Sequence, residues 1–186
     1  VVSFIKDRNG ECFFTGRRDV NDSKYFKLEL SKWDDIKKLV NEIQTLDFLV
    51  LNAGGMPEEY QTNSQEIEIQ FASQLFGHYF LLKSLIENKK LKQKAPVVWV
   101  SSGGMYLKNL DLTFKQDKSK YDKVQTYANV KRAQVSLVTL IANESPFNDY
   151  KISAMHPGWV KTAAIAKALP GFTKKTQAYN IKSVKL

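Results

Sequence analysis

The feature that most constrains the fold of this chain is a series of short apolar runs that alternate with amphipathic segments. Asp47–Leu51 and Pro96–Val100 are almost wholly apolar, which is typical of strands buried on both faces of a parallel sheet. A third strand is predicted at Lys151–Met155, just before a helix-breaking Pro-Gly pair. Because strands and helices alternate along the chain, the sequence predicts an open parallel α/β sheet.

Weaker patterns complete the prediction. The β-branched run Val1–Ile5 and the run Tyr25–Leu30 indicate two further strands. Ser31 is predicted to cap a helix that continues to Ile43, since an acidic residue follows three positions later. Two longer helices are predicted from the spacing of their apolar residues, one from about Ser64 to Glu87 and one over Tyr127–Asn143.

Length and composition narrow the class of protein. With 186 residues, 43% of them hydrophobic, the chain is long enough for one domain or a piece of one. One cysteine and two histidines cannot build an internal disulfide or a structural zinc site, so we expect no metal and a reducing compartment, the cytoplasm. No apolar run reaches the length of about 18 residues that indicates a transmembrane segment. Peripheral association with a membrane stays open.

The net charge of +9 is concentrated at one end. Residues 151–186 contain seven Lys or Arg and no Asp or Glu. A nucleic-acid-binding protein more often spreads its basic residues over one face, so we expect no nucleic-acid partner. We interpret residues 173–186 as a basic, poorly patterned tail that follows a domain of residues 1–172.

Polar clusters with glycines follow three predicted strands, at 52–55, 101–104 and 156–162. Ligands of parallel α/β sheets bind outside the carboxyl ends of the strands, so these clusters are expected to meet at one site. Tyr127 and Lys131 are four residues apart and share one helix face. An ammonium near a phenol favours the phenolate, and such a pair can move a proton. Tyr79 and Lys83 have the same spacing, but Tyr79 lies in an apolar stripe and is interpreted as core.

Four sequence segments carry a family resemblance. They read Leu-Asn-Ala-Gly at 51–54, Val-Ser-Ser-Gly-Gly at 100–104, Tyr-Ala-Asn-Val-Lys at 127–131 and His-Pro-Gly-Trp-Val-Lys-Thr at 156–162. In this order they resemble the motifs of the short-chain dehydrogenase/reductase family. The resemblance implies a Rossmann-like, doubly wound parallel sheet. It also implies hydride transfer between a nicotinamide cofactor and an aldehyde, ketone or secondary alcohol.

The resemblance also implies roles for individual residues. Tyr127 is the general acid/base, Lys131 holds the nicotinamide ribose and lowers the pKa of Tyr127, and Ser102 binds the substrate oxygen. Gln74 stands where the family has the Asn of its proton relay. Residues implied to line the cofactor, besides Tyr127 and Lys131, are Asn52, Ala53, Gly54, Pro157, Gly158, Val160 and Thr162.

The glycine-rich phosphate loop of the family has no counterpart in this sequence. We therefore expect an incomplete domain in which the first strand, the phosphate loop and the first helix are absent. The first segment then resembles the family's second strand, ending at Ile5–Arg8. There Lys6 and Arg8 favour NADP(H) over NAD(H), whereas Asp7 argues the other way.

Two interpretations stay open. The first is an NADP(H)-dependent reductase that acts on a small carbonyl or alcohol substrate. The second is a catalytically inactive, truncated family member that serves as an interaction module or is an unstable fragment. The two long helices are compatible with the homodimer interface that the family often uses.

Overall fold

The computed structural model describes residues 2–113 and 118–158. The chain divides into two compact units, one formed by Leu30–Gly158 and the other including residues 2–29. Within the described residues, no helix combines the length and the apolar character that a membrane span requires.

The unit that includes residues 2–29 contains helix α1 (Val2–Lys6) and two parallel strands, β1 (Phe14–Gly16) and β2 (Tyr25–Lys27). The prediction of a strand at Val1–Ile5 was wrong. β-Branched residues favour strands only where their side chains can pack in a sheet. Here the segment forms a short helix instead. Its chain reverses at Gly10, whose amide donates to the Ile5 carbonyl at 3.0 Å.

Strand β1 was not predicted from the sequence, and β2 is shorter than the predicted Tyr25–Leu30. Phe14 and Tyr25 are register partners, and their rings lie 5.4 Å apart. The Tyr25 hydroxyl donates a hydrogen bond to the carbonyl of Arg18, which follows β1 by two residues. These contacts hold the carboxyl end of β1 beside β2.

The second unit contains a parallel sheet in the order β3 (Leu49–Leu51), β4 (Pro96–Val100) and β5 (Lys151–Met155). Leu49 pairs with Val97, which pairs in turn with Ile152. Central strand β4 is fully buried on one face, at Val97 and Trp99, whereas Val98 and Val100 on the other face are partly exposed, so the predicted burial on both faces holds for one face only. The predicted parallel α/β fold is therefore confirmed, with β4 and β5 at the predicted bounds and β3 shorter.

Helix α2 (Trp33–Glu42) begins later than predicted. Its N-cap position is Lys32, with no side-chain cap hydrogen bond, so the prediction that Ser31 caps this helix was wrong. The helix begins at Trp33, one residue later than a helix capped by Ser31 would begin. Instead, Ser31 is buried, and its carbonyl accepts a hydrogen bond from the side-chain Nδ2 of Asn63 at 3.4 Å.

The predicted helix over 64–87 also begins later, because the Asn63 side chain folds the chain into a turn. Its Oδ1 accepts hydrogen bonds from the amides of Gln65 and Ile67, both at 3.0 Å. A π-helix (Phe71–Gly77) then leads directly into α3 (His78–Glu87). π-Helical turns are rare and frequent at functional sites, and this one contains Gln74.

Helix α4 (Lys123–Ile141) begins four residues before the predicted start. Asp122 is its cap, accepting hydrogen bonds from the amides of Val124 and Gln125 at 2.8 and 2.9 Å. Three short 3₁₀ turns complete the unit, at Gly103–Leu107, Lys118–Lys120 and Phe147–Asp149. A core cluster joins the π-helix to α4 through Phe71, Leu75, Val130 and Ala133.

Gly77 is expected to be intolerant of a side chain. A Cβ there would lie 2.3 Å from the Leu30 carbonyl oxygen, which is backbone and cannot move aside cheaply. We expect Gly77→Ala to lower the free energy of unfolding by about 2 kcal/mol or more, despite the better helix propensity of alanine. Denaturant titration followed by circular dichroism measures this.

The matched control is Gly55→Ala, because nothing lies within 4 Å of a Cβ at Gly55. This variant should stay within about 0.5 kcal/mol of the parent chain. Equal stability of the two variants would contradict the close approach of Gly77 to Leu30.

Candidate active site

The candidate site lies at the carboxyl ends of strands β3, β4 and β5. Asn52 directly follows β3, Ser101 and Ser102 follow β4, and His156 follows β5. The pairing of β4 with β5 continues past the strands, since the Ser101 amide donates to the Met155 carbonyl at 2.8 Å. The fold thus brings these polar segments to one edge of the sheet, as predicted.

Lys131 fastens helix α4 to the end of β4. Its ammonium Nζ donates to the Val100 carbonyl at 3.0 Å, and its own carbonyl accepts a hydrogen bond from Ser101 Oγ at 2.9 Å. The Nζ atom lies 5.3 Å from the centre of the Tyr127 ring. The helical spacing of four residues therefore places Tyr127 and Lys131 on one face, as predicted.

The ammonium of Lys131 is buried, with 3% of the residue exposed. In residues 2–113 and 118–158 it forms no ion pair with a carboxylate. Burial lowers the pKa of Lys131 from 10.5 to about 8. A buried charge with two N–H donors left over is suited to a ligand that carries hydroxyl or carboxylate oxygens.

The Tyr127 ring and the Ser102 hydroxyl are close together, since both lie within 4 Å of a Cβ built on Gly104. The resemblance implied a lowered pKa for Tyr127, but in the structure the pKa is raised, because burial of the phenol outweighs the effect of Ser102. The Tyr127 side chain therefore holds its proton at neutral pH.

Ser102 caps the 3₁₀ turn that follows β4. Its Oγ accepts a hydrogen bond from the Gly104 amide at 3.2 Å. The neighbouring amide of Gly103 donates to Nδ1 of His156 at 3.1 Å. Sequence reasoning placed His156 only at the start of a polar cluster, since no local pattern connects two residues that are 53 positions apart.

Gln74 holds the glycine loop after β3. Its Nε2 donates to the Gly55 carbonyl at 2.8 Å, and its main-chain carbonyl accepts from Gln134 Nε2 of helix α4 at 2.7 Å. A Cβ on Gly54 would lie 2.5 Å from Gln74 Oε1, so a side chain at position 54 would require the end of the Gln74 side chain to move. Within the described residues, no hydrogen bond connects the Gln74 side chain to Tyr127 or Lys131.

His78, one turn after Gln74, was not identified from the sequence as part of the site. It is 1% exposed and lies against the Trp99 ring, with ring centres 5.8 Å apart. Burial and the nearby charge of Lys131 lower the pKa of His78 to about 3, so the imidazole is neutral at physiological pH. It lies behind the site and adds no charge to it.

The other implied cofactor residues are placed as follows. Asn52, Ala53 and Gly54 form an exposed loop, and Pro157 and Gly158 are exposed after β5, with φ +75° at Gly158. Val160 and Thr162 lie outside the described residues. Lys6 is the last residue of α1 and not the end of a strand, which removes the structural reason for its assignment; it pairs with Asp22 at 3.8 Å.

Comparison with known proteins gives the family. The model of the short chain dehydrogenase family matches residues 15–171, most of the chain. The chain belongs to the short-chain dehydrogenase/reductase family. It is 34% identical to the Bos taurus protein "Dehydrogenase/reductase SDR family member 12" over 146 residues, or 78% of this chain and 45% of the relative. It is 30% identical to the Homo sapiens protein of the same name over 90% of this chain and 50% of the relative.

Solved structures support the fold. A short chain dehydrogenase family protein from Francisella tularensis superimposes with a TM-score of 0.69 at 16% identity, covering 95% of this chain and 70% of that protein. The chain spans about half the length of the curated relatives it matches. The chain therefore belongs to a family of dehydrogenases and reductases.

Burial of Lys131 predicts a pH dependence of stability. The pKa in the folded chain, about 8, is below the ordinary 10.5, so between these values the unfolded chain holds a proton that the folded chain has lost. The contribution of Lys131 to the free energy of unfolding therefore rises with pH between about 8 and 10.5, and it is lowest below pH 8. Relative to Lys131→Met, we expect the free energy of unfolding to rise by up to about 1.4 kcal/mol per pH unit.

Urea titrations of both chains at several pH values across that window measure the difference. Tyrosines titrate in both chains and largely cancel in the comparison. Parallel curves for the two chains would show that the ammonium is not desolvated on folding.

Proposed function

We propose that this chain transfers hydride between NADP(H) and an aldehyde, ketone or secondary alcohol, with Tyr127 as the general acid/base. The observation that carries the proposal is the grouping of three side chains at the end of β4. Tyr127 and Ser102 both lie beside Gly104, and the buried ammonium of Lys131 lies 5.3 Å from the Tyr127 ring. A proton donor, a hydroxyl and a positive charge are the groups that reduction of a carbonyl requires.

The raised pKa of Tyr127 favours the reductive direction. A protonated phenol can donate its proton to the carbonyl oxygen as negative charge develops there. Ser102 donates a hydrogen bond to the same oxygen and positions it against Tyr127. The phenolate that remains is stabilised by the Lys131 ammonium, which is held near the ring by the Val100 carbonyl.

The described residues fit a nicotinamide cofactor, which when bound supplies or accepts the hydride. The buried Lys131 ammonium has donors left over for ribose hydroxyls. Gly54 has no side chain, so its main chain is accessible in an exposed loop. The Gln74 side chain holds this loop in place. We assign to the cofactor surface, besides these, Asn52, Ala53, Tyr127, Pro157, Gly158, Val160 and Thr162.

The proposed preference for NADP(H) over NAD(H) rests on the basic residues that the sequence places near the start of the chain, because a positive charge suits the 2′-phosphate of NADP(H).

Removing the Tyr127 hydroxyl tests the proposed chemistry. We expect Tyr127→Phe to lower the rate of NADPH-dependent aldehyde reduction by about 10²–10⁴-fold, because the proton donor is lost. Absorbance of NADPH during turnover measures the rate, and NADPH fluorescence measures binding, which should change little.

Tyr79→Phe is the matched control, since Tyr79 and Lys83 repeat the spacing of Tyr127 and Lys131. Tyr79 packs on Phe147 and Lys83 pairs with Glu87, so this variant should retain the parent rate. Full activity of Tyr127→Phe would remove the assignment. Failure of the parent chain to bind NADPH at all would favour the non-catalytic interpretation.

The proposed cofactor preference is tested by the ratio of NADPH to NADH affinity of the parent chain. We expect NADPH to bind at least about tenfold more tightly than NADH. Equal affinities, measured by cofactor fluorescence, would contradict the preference for NADP(H).

A further inference from the structure

His156 contacts the turn that carries Ser102 in two ways. Its Nδ1 accepts the hydrogen bond of the Gly103 amide at 3.1 Å. In the same ring, its Nε2 would lie 3.1 Å and its Cε1 3.3 Å from a Cβ built on Gly103. The imidazole therefore lies closely against the residue that follows Ser102.

The hydrogen bond fixes the form of the imidazole. A nitrogen that accepts an N–H must be unprotonated, so a neutral His156 carries its hydrogen on Nε2. An imidazolium has N–H groups on both nitrogens and cannot accept at Nδ1. The contact with Gly103 is thus available to one tautomer only.

The turn that His156 contacts determines where the Ser102 hydroxyl lies. Ser102 has extended backbone, with φ −154° and ψ 151°, and its Oγ accepts from the Gly104 amide. Gly103 lies between Ser102 and Gly104 in the chain and begins the 3₁₀ turn. A main-chain amide at the start of such a turn has no hydrogen-bond partner within it. The hydrogen bond from this amide to His156 therefore fixes the main chain next to Ser102. It thereby also fixes where the Ser102 Oγ lies relative to Tyr127.

We propose that His156 is a positioning residue for Ser102. Its Nδ1 holds the Gly103 amide and so keeps the Ser102 hydroxyl beside Tyr127. The catalytic consequence rests on the proposed function, whereas the positioning itself concerns only the folded chain. Gly103 is required because the imidazole occupies the space that a side chain there would fill.

Two substitutions separate the hydrogen bond from simple packing. His156→Asn keeps an acceptor, Oδ1, near the place of Nδ1, and His156→Leu keeps bulk without an acceptor. In His156→Leu we expect kcat for aldehyde reduction to fall about tenfold, with the KM for NADPH within about twofold of the parent value. His156→Asn should restore most of the lost kcat.

A second measurement does not depend on activity. Long-range ¹H–¹⁵N NMR spectra of the parent chain should show His156 with its hydrogen on Nε2, and the Gly103 amide should exchange with solvent about tenfold faster in His156→Leu than in His156→Asn. A hydrogen on Nδ1, or equal exchange in the two variants, would overturn the positioning role. A chain that gives the expected spectra without reducing any aldehyde would contradict the proposed function alone.

Gly103→Ala completes the test. In the parent chain its Cβ meets the imidazole, so we expect kcat to fall. In the His156→Asn background the Nε2 and Cε1 atoms are gone, and the same substitution should cost little. Equal losses in both backgrounds would show that Gly103 is required for another reason.

Discussion

The site depends on one buried positive charge. The Lys131 ammonium is removed from water and donates to the Val100 carbonyl at the last residue of β4. Together with the Ser101 hydroxyl on the Lys131 carbonyl, this fixes helix α4 against the central strand. Within residues 2–113 and 118–158 the Val100 carbonyl is the one acceptor of this ammonium, and burial of a charge with so few partners destabilises the folded chain.

A second arrangement holds the other side of the site. The π-helical turn places the Gln74 amide over the loop after β3, and Gln134 of α4 holds the Gln74 carbonyl. Helix α4 therefore supports both parts, through Lys131 at β4 and through Gln134 at the π-helix. The longer side chain of glutamine reaches the Gly55 carbonyl, and it fills the space beside Gly54 that a Cβ would need.

The sequence predicts the sheet of the second unit well, because Pro96–Val100 and Lys151–Met155 are apolar runs with sharp ends. It predicts the first segment poorly. Val1–Ile5 has strand-forming residues but closes a helical turn, and Phe14–Gly16 is too short and too mixed to be recognised. Helix starts were missed where a side chain, Asn63 or Asp122, redirects or caps the chain. Burial could not be calculated from spacing, so the direction of the Tyr127 pKa was missed.

The glycines of the motifs show why the remaining contacts could not be read from the sequence. Gly54 faces Gln74, and Gly103 faces His156, so each glycine accommodates a polar side chain from a distant element. A motif read along the chain contains only one member of each pair. The reason for the glycine becomes visible only when the fold shows which side chain lies against it. A change in that side chain, such as glutamine in place of asparagine, alters how much space the glycine must leave. The pairs, and not the motifs alone, therefore determine the shape of the site.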